Sequence, residues 1–113
     1  MEIFYKLKPL EKDSCVALGF FDGVHLGHQA VINNAIRMAK ENKMASIVFT
    51  FSEKPNSRSN ETITTNAQKA VIFKKMGVEN LFVLSPADIM HITANDFVEI
   101  ILHKNLKAKH VFC

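Results

Sequence analysis

Eleven consecutive residues, Gly19-Phe-Phe-Asp-Gly-Val-His-Leu-Gly-His-Gln29, concentrate the side chains able to do chemistry. Gly19, Gly23 and Gly27 leave out the Cβ where backbone must turn sharply or come close to a ligand. His25 and His28 are three residues apart, so at a helix start both can point the same way. The first turn of such a helix has free N–H groups and the positive end of the helix dipole. Two imidazoles beside it make a donor-rich pocket suited to a polyphosphate. Asp22 adds a carboxylate that can orient a histidine or hold a phosphate-bound Mg²⁺. Zinc is the competing reading of the imidazole pair, but structural zinc needs four protein ligands and catalytic zinc three. Only Asp22 is near in sequence, and neither cysteine is. No Gly-Lys-Ser/Thr follows the glycines, so the segment is not a Walker A loop. His91, His103 and His110 stand singly and read as surface or satisfied core residues.

The elements around this segment must bring it to the mouth of a sheet. Cys15–Leu18 reads as a buried strand stopping at Gly19. Val31, Ile32, Ala35, Ile36 and Ala39 form one face of a helix running to about Lys43. Lys40 and Lys43 suit its negative C-terminal end. Ala45–Phe51 is β-branched and aromatic, a second strand, and Ser52–Asn60 is a polar loop. Thr64 or Thr65 can cap a second helix carrying Ala67, Ala70, Val71, Phe73 and Met76, with Gly77 as its left-handed stop. Leu81–Leu84 is a third strand. Thr93 with Asp96 resembles a capping box with a shortened acid, opening a helix whose Phe97, Val98, Ile101 and Leu102 face inward. Lys109–Cys113 is a fourth core strand, and Ile3–Leu7 an edge strand. Alternating strands and helices with near-continuous apolar strands predict an α/β domain with a parallel sheet covered on both faces. Ligands of such sheets bind beyond the carboxyl ends of the strands, where Gly19–Gln29 falls.

Composition agrees with one soluble domain. The chain has 113 residues, 48% of them hydrophobic and 22% charged, with four glycines and three prolines, which excludes collagen-like and strongly disordered classes. No apolar run reaches the roughly 18–20 residues of a membrane span. The N-terminus lacks a secretory layout. Cys15 and Cys113 form no disulfide framework, pointing to a reducing, cytoplasmic setting. A net charge of +3 suits an anionic small ligand and is too scattered to argue for nucleic acid.

His25-Leu-Gly-His28 matches the HxGH signature of the nucleotidyltransferase superfamily. The longer string through Gln29 is narrower and resembles the FMN adenylyltransferase module of prokaryotic bifunctional riboflavin kinase/FAD synthetases. Val48-Phe-Thr-Phe51 is similar to the second strand of that family, and Thr64-Thr65 with Gln68-Lys69 to its Thr-Thr-x-x-Glu-Lys segment. Lys75-Met-Gly-Val78, Asn95-Asp-Phe-Val98 and Lys109-His-Val111 follow in order. The resemblance implies a Rossmann-like nucleotidyltransferase fold and the reaction FMN + ATP → FAD + pyrophosphate. It implies that His25 and His28 meet the ATP phosphates. Gly19, Phe20 and Phe21 line the adenine and ribose side, Gly23 and Gly27 permit that approach, and Asp22 and Thr50 complete the nucleotide site. Mg²⁺ arrives on the substrate phosphates, with no dedicated protein ligands.

Two departures from the family pattern stand out. Where the family has Phe-x-Pro-His-Pro, this chain reads Phe51-Ser-Glu-Lys-Pro55, with Lys54 in place of the loop histidine; a lysine still meets phosphate as a point charge. The sequence stops at Cys113, where the family continues into a further nucleotide-gripping motif and a riboflavin kinase domain. Residues 1–113 are therefore expected to be a single partial adenylyltransferase domain, incomplete at its C-terminal end, without the kinase domain and weak or inactive alone. ATP and FMN are the expected partners, with no nucleic acid and no membrane, and with self-association through an exposed sheet edge. The alternatives are another HxGH cofactor nucleotidyltransferase, a non-catalytic nucleotide-binding remnant, or a structural α/β interaction domain. The last leaves the glycines and paired histidines unexplained.

Overall fold

Side chains of a strand alternate between its two faces, and here the alternation sorts the core into two layers. The computed structural model describes residues 1–21, 26–53, 65–89 and 91–113. Strands β1 (Glu2–Phe4), β2 (Ser14–Leu18), β3 (Ala45–Phe51), β4 (Asn80–Leu84) and β5 (Ala108–Phe112) form one sheet in the order β1-β4-β3-β2-β5. Every neighbouring pair is parallel. Helices α1 (Leu26–Glu41) and α2 (Asn66–Met76) cover one face. There Cys15, Ala17, Val48, Leu81 and Val83 meet Ile32, Ala35, Ile36, Ala39 and Phe73. On the other face Val16, Ile47, Phe49, Phe82 and Leu84 meet Ile101, Leu102 and Leu106. The expected α/β architecture with a parallel sheet is what the chain adopts, covered on both faces at β2, β3 and β4. Strand β5, expected as a core strand, is instead an edge strand with Lys109, His110 and Val111 exposed, because among the described residues it has a neighbour only in β2. Among the described residues no helix is long and apolar enough to cross a membrane.

Helix ends follow local chemistry. Thr65 caps α2 with a full capping box: its hydroxyl accepts from Gln68 N at 3.1 Å, and Gln68 Oε1 accepts from Thr65 N at 2.8 Å. Gly77, at φ 100°, closes the helix, its N–H reaching the carbonyls of Phe73 and Lys74. Val78 N–H bonds Phe73 O at 3.1 Å, and both side chains are buried together, a Schellman stop with its hydrophobic contact. Helix α1 ends at Glu41, earlier than its periodicity suggests. Lys43, at φ 56°, takes the left-handed position that glycine usually fills. Met44 N–H then bonds Ala39 O at 2.8 Å.

Three further expectations need correcting. The buried side of α2 carries Lys69 and Phe73, while Val71 is 54% exposed. A lysine drawn inward rotates the stripe away from the one drawn through Val71. A short α3 (Pro86–Ile89) precedes α4 (Ala94–Asp96), where Thr93 accepts from Asp96 N at 3.1 Å. Helix α4 runs directly into a π-helix, Phe97–Asn105. Its wider i→i+5 turn puts Ile101 and Leu106 inside, joined by a 3.0 Å backbone bond, and turns Val98 out at 52% exposure. The N-terminal strand is shorter than Ile3–Leu7 and lies at the sheet edge beside β4.

Candidate functional site

The chain steps from β2 to β3 to β4 in one direction, then crosses back to place β5 on the far side of β2. In open α/β sheets the crevice at such a reversal, at the carboxyl ends of the strands, is where ligands bind. The β2–α1 connection begins there. Gly19, Phe20, Phe21, Gly27, His28 and Thr50 are among the described residues; Asp22, Gly23 and His25 lie outside them, as do Thr64 and the loop from Lys54 on.

Gly19 prolongs the sheet by one bond, its N–H donating to Phe49 O at 3.1 Å. A Cβ on Gly19 would meet Phe21 Cζ at 2.9 Å. The missing side chain at this glycine thus makes room for the neighbouring Phe21 ring, a different reason from ligand approach. Phe21 holds φ 58°, a region that costs a bulky residue energy. Its ring is 3% exposed and folds back among core side chains. It meets Phe73 of α2 at 6.0 Å between centroids and His28 at 5.3 Å, nearly perpendicular at 84°. Edge-to-face pairs at such distances are favourable by about 0.5–1.5 kcal/mol beyond area burial. His28 sits in the first turn of α1, half-buried, with Nδ1 turned away from solvent.

Thr50, near the end of β3, is 1% exposed, and its hydroxyl donates to the Phe20 carbonyl at 2.8 Å. It therefore meets the site through backbone. Lys69, in the first turn of α2, sends its ammonium to the same carbonyl at 3.2 Å and lies 4.1 Å from the Phe20 ring centroid. Only 2% of Lys69 is exposed. Position alone could not single it out: a lysine four residues after a helix cap reads as solvated surface, and burial of its stem shows only in the fold. The one available signal was the Gln68-Lys69 pair inside the Thr-Thr segment.

Among the described residues no group of three or more His, Cys, Asp or Glu could hold a metal ion. A phosphate-binding reading of this corner asks only for donors and a helix N-terminus, which His28 and α1 supply.

The chain is similar to known proteins along nearly all of its length. A profile described as FAD synthetase matches residues 7–113. The bifunctional riboflavin kinase/FMN adenylyltransferase of Buchnera aphidicola subsp. Schizaphis graminum is 26% identical over 113 residues, spanning 95% of this chain and 36% of that protein. Its namesake in Listeria monocytogenes is 34% identical over 96 residues, 74% of this chain and 31% of that protein. The Bacillus subtilis protein of the same name is 36% identical over 84 residues, 69% of this chain and 27% of that protein. The chain thus spans about a third of the length of these relatives. A crystal structure described as a macrolide-efflux protein from Streptococcus pneumoniae matches with a TM-score of 0.85 at 26% identity. That match covers 99% of this chain and 40% of that one; the efflux named there is said of that protein alone. Since the strand, glycine turn and helix that carry His28 all fall inside one matched stretch reaching from residue 7 to the last residue, the chain belongs to the FAD synthetase family.

Proposed function

We propose that this chain forms the nucleotide-binding part of an FMN adenylyltransferase, which joins FMN and ATP into FAD and pyrophosphate. The observation that carries the reading is the seat of His28: first turn of α1, its ring nearly perpendicular to that of Phe21, at the sheet reversal beside β2. A phosphate oxygen of FMN attacks the α-phosphorus of ATP, the bond to the β-phosphate oxygen breaks, and pyrophosphate leaves. No covalent enzyme intermediate is needed, so the chain contributes positioning and charge stabilisation. His28 and His25 donate hydrogen bonds to the ATP phosphates that strengthen as charge develops. The backbone of Gly19, Phe20 and Phe21 faces adenine and ribose, with Gly23 and Gly27 allowing close approach. Thr50 supports that backbone through the Phe20 carbonyl. Asp22 either orients a histidine or meets substrate-borne Mg²⁺, which supplies neutralisation of phosphate charge when bound.

Calorimetry with ATP, and chromatography of mixtures of the chain with FMN and ATP, test this. Removing one donor of this kind costs about 2.7–4 kcal/mol, so His28→Ala in the complete protein, with the family's following motif present, is expected to lower FAD formation by about 10²-fold or more. Wild-type turnover in that variant removes the histidine from the mechanism. ATP binding without FAD formation, where the family's following motif is also present, assigns a non-catalytic nucleotide-binding role instead. Turnover of phosphopantetheine or nicotinamide mononucleotide in place of FMN moves the chain to another cofactor transferase.

A further inference from the structure

Two donors from different elements converge on one backbone oxygen at the site. Thr50 Oγ1, from β3, reaches the Phe20 carbonyl at 2.8 Å, and Lys69 Nζ, from α2, reaches it at 3.2 Å. The lysine is 2% exposed and the threonine 1%, so neither is placed to grip a ligand through its side chain. Burying an ammonium is costly unless it is well partnered. A lysine kept here against that cost is positioned to hold something in place. What it holds is the peptide unit joining Phe20 to Phe21. Orienting the Phe20 carbonyl orients that peptide plane, and the Phe21 φ of 58° is a rotation directly adjoining it. From that conformation the Phe21 ring folds over Gly19 and presents its face or edge to His28 at 5.3 Å.

We propose that Lys69 is a positioning residue for His28: together with Thr50 it clamps the Phe20 carbonyl, holds Phe21 in the left-handed region, and so seats the ring against which His28 rests. Its catalytic meaning rests on the role given to His28 under Proposed function; the clamp itself does not. The cation above the Phe20 ring, at 4.1 Å, adds to the hold, since such contacts strengthen when desolvated.

The test uses the full 113-residue chain without ligand, its histidines labelled and the His28 ring signals assigned by their loss in His28→Gln. The ring current of a phenyl group 5.3 Å from an imidazole displaces the imidazole proton resonances, so Phe21→Leu defines the signals of an unseated His28. Lys69→Met keeps the volume of the stem and leaves the carbonyl one donor. It is expected to move the His28 resonances toward those of Phe21→Leu, as is Thr50→Val, while Thr50→Ser stays at the wild-type position. Wild-type His28 resonances in a folded Lys69→Met chain overturn the proposal. Should the lysine variant not fold, unchanged resonances in Thr50→Val overturn it equally. Where FAD formation is measurable, Lys69→Met is expected to lower kcat by up to about 10²-fold, the loss that follows a misplacement of roughly 1 Å. It should cause no further loss when His28 is already alanine; an undiminished further loss in that background refutes action through His28. No FAD from this chain joined to the family's following nucleotide-gripping motif defeats the functional reading, while the resonance measurements still decide the clamp.

Discussion

A lysine in the left-handed region closes α1. Lys43, at φ 56°, occupies the position after the helix where its N–H approaches Lys40 O at 3.4 Å and Met44 N–H bonds Ala39 O at 2.8 Å. The conformation costs an L-residue about 1–2 kcal/mol that glycine avoids, against glycine's larger unfolded-state entropy of about 0.5–1 kcal/mol. Lys43→Gly is therefore expected to stabilise the fold by about 0.5–1 kcal/mol, read as a higher denaturant midpoint at constant slope. Phe21 pays a similar conformational cost with a different return, because its ring is what His28 meets. Cysteine chemistry is also decided residue by residue. Cys15 is fully buried beside Met44, and desolvation pushes its thiol above the ordinary 9.0. The folded chain thus keeps this proton after the unfolded chain has lost it. Its contribution to stability is complete below pH 9.0 and declines as pH rises from there toward the folded-state value. Replacing Cys15 with alanine should flatten that alkaline decline in thermal melts, apart from its packing cost. The exposed Cys113 should react alone with a thiol reagent in the native protein.

At the scale of elements, α2 connects capping to the site. The same first turn holds the Thr65 capping box and the Lys69 N–H bond to Thr65 O at 3.0 Å. Thr65→Ala is expected to cost about 1 kcal/mol, measured by denaturant titration, and to loosen Lys69 with the turn. The strands, the caps and the glycine stop were legible in the sequence because each rests on local chemistry: β-branched runs at Ala45–Phe51, a threonine before Gln68, a glycine after Met76. What escaped depends on tertiary partners. Lys69 goes inside because Phe20 offers its carbonyl, and Val71 is turned outward as a result. The π-helix escaped because the apolar spacing of Phe97, Ile101 and Leu102 fits an α-helix almost as well, and the wider turn, closed by the Leu106 N–H bond to Ile101 O, shows only in the backbone. Of the candidate site, what the structure describes agrees with the sequence in placing Gly19 after β2 and His28 in the first turn of α1; Asp22, Gly23 and His25 lie outside the described residues. Thr50 was named through the family resemblance, but its hold with Lys69 on the Phe20 carbonyl was not legible, since backbone carbonyls leave no mark on side-chain spacing.

For the whole molecule, sheet order sets the two edges, β1 beside β4 and β5 beside β2. Among the described residues β5 pairs only with β2, and it exposes Lys109, His110 and Val111, the last at 42%. A strand with one unpaired side offers its backbone to another chain, and a lysine on it is only a partial safeguard. Concentration-dependent association is the expected behaviour in light scattering, and Val111→Lys should shift it toward monomer by adding a second charge. The two core layers carry a consequence for mutational tolerance. Ala17 on β2 and Val48 on β3 look toward the helices bearing His28 and Lys69, while Val16, Phe49 and Phe82 look toward the π-helix. In a saturation library scored for both abundance and ATP binding, disruptive changes should deplete both stripes alike, since both are buried. Conservative changes that stay plentiful yet lose binding should fall at every second codon, on the stripe of Ala17 and Val48.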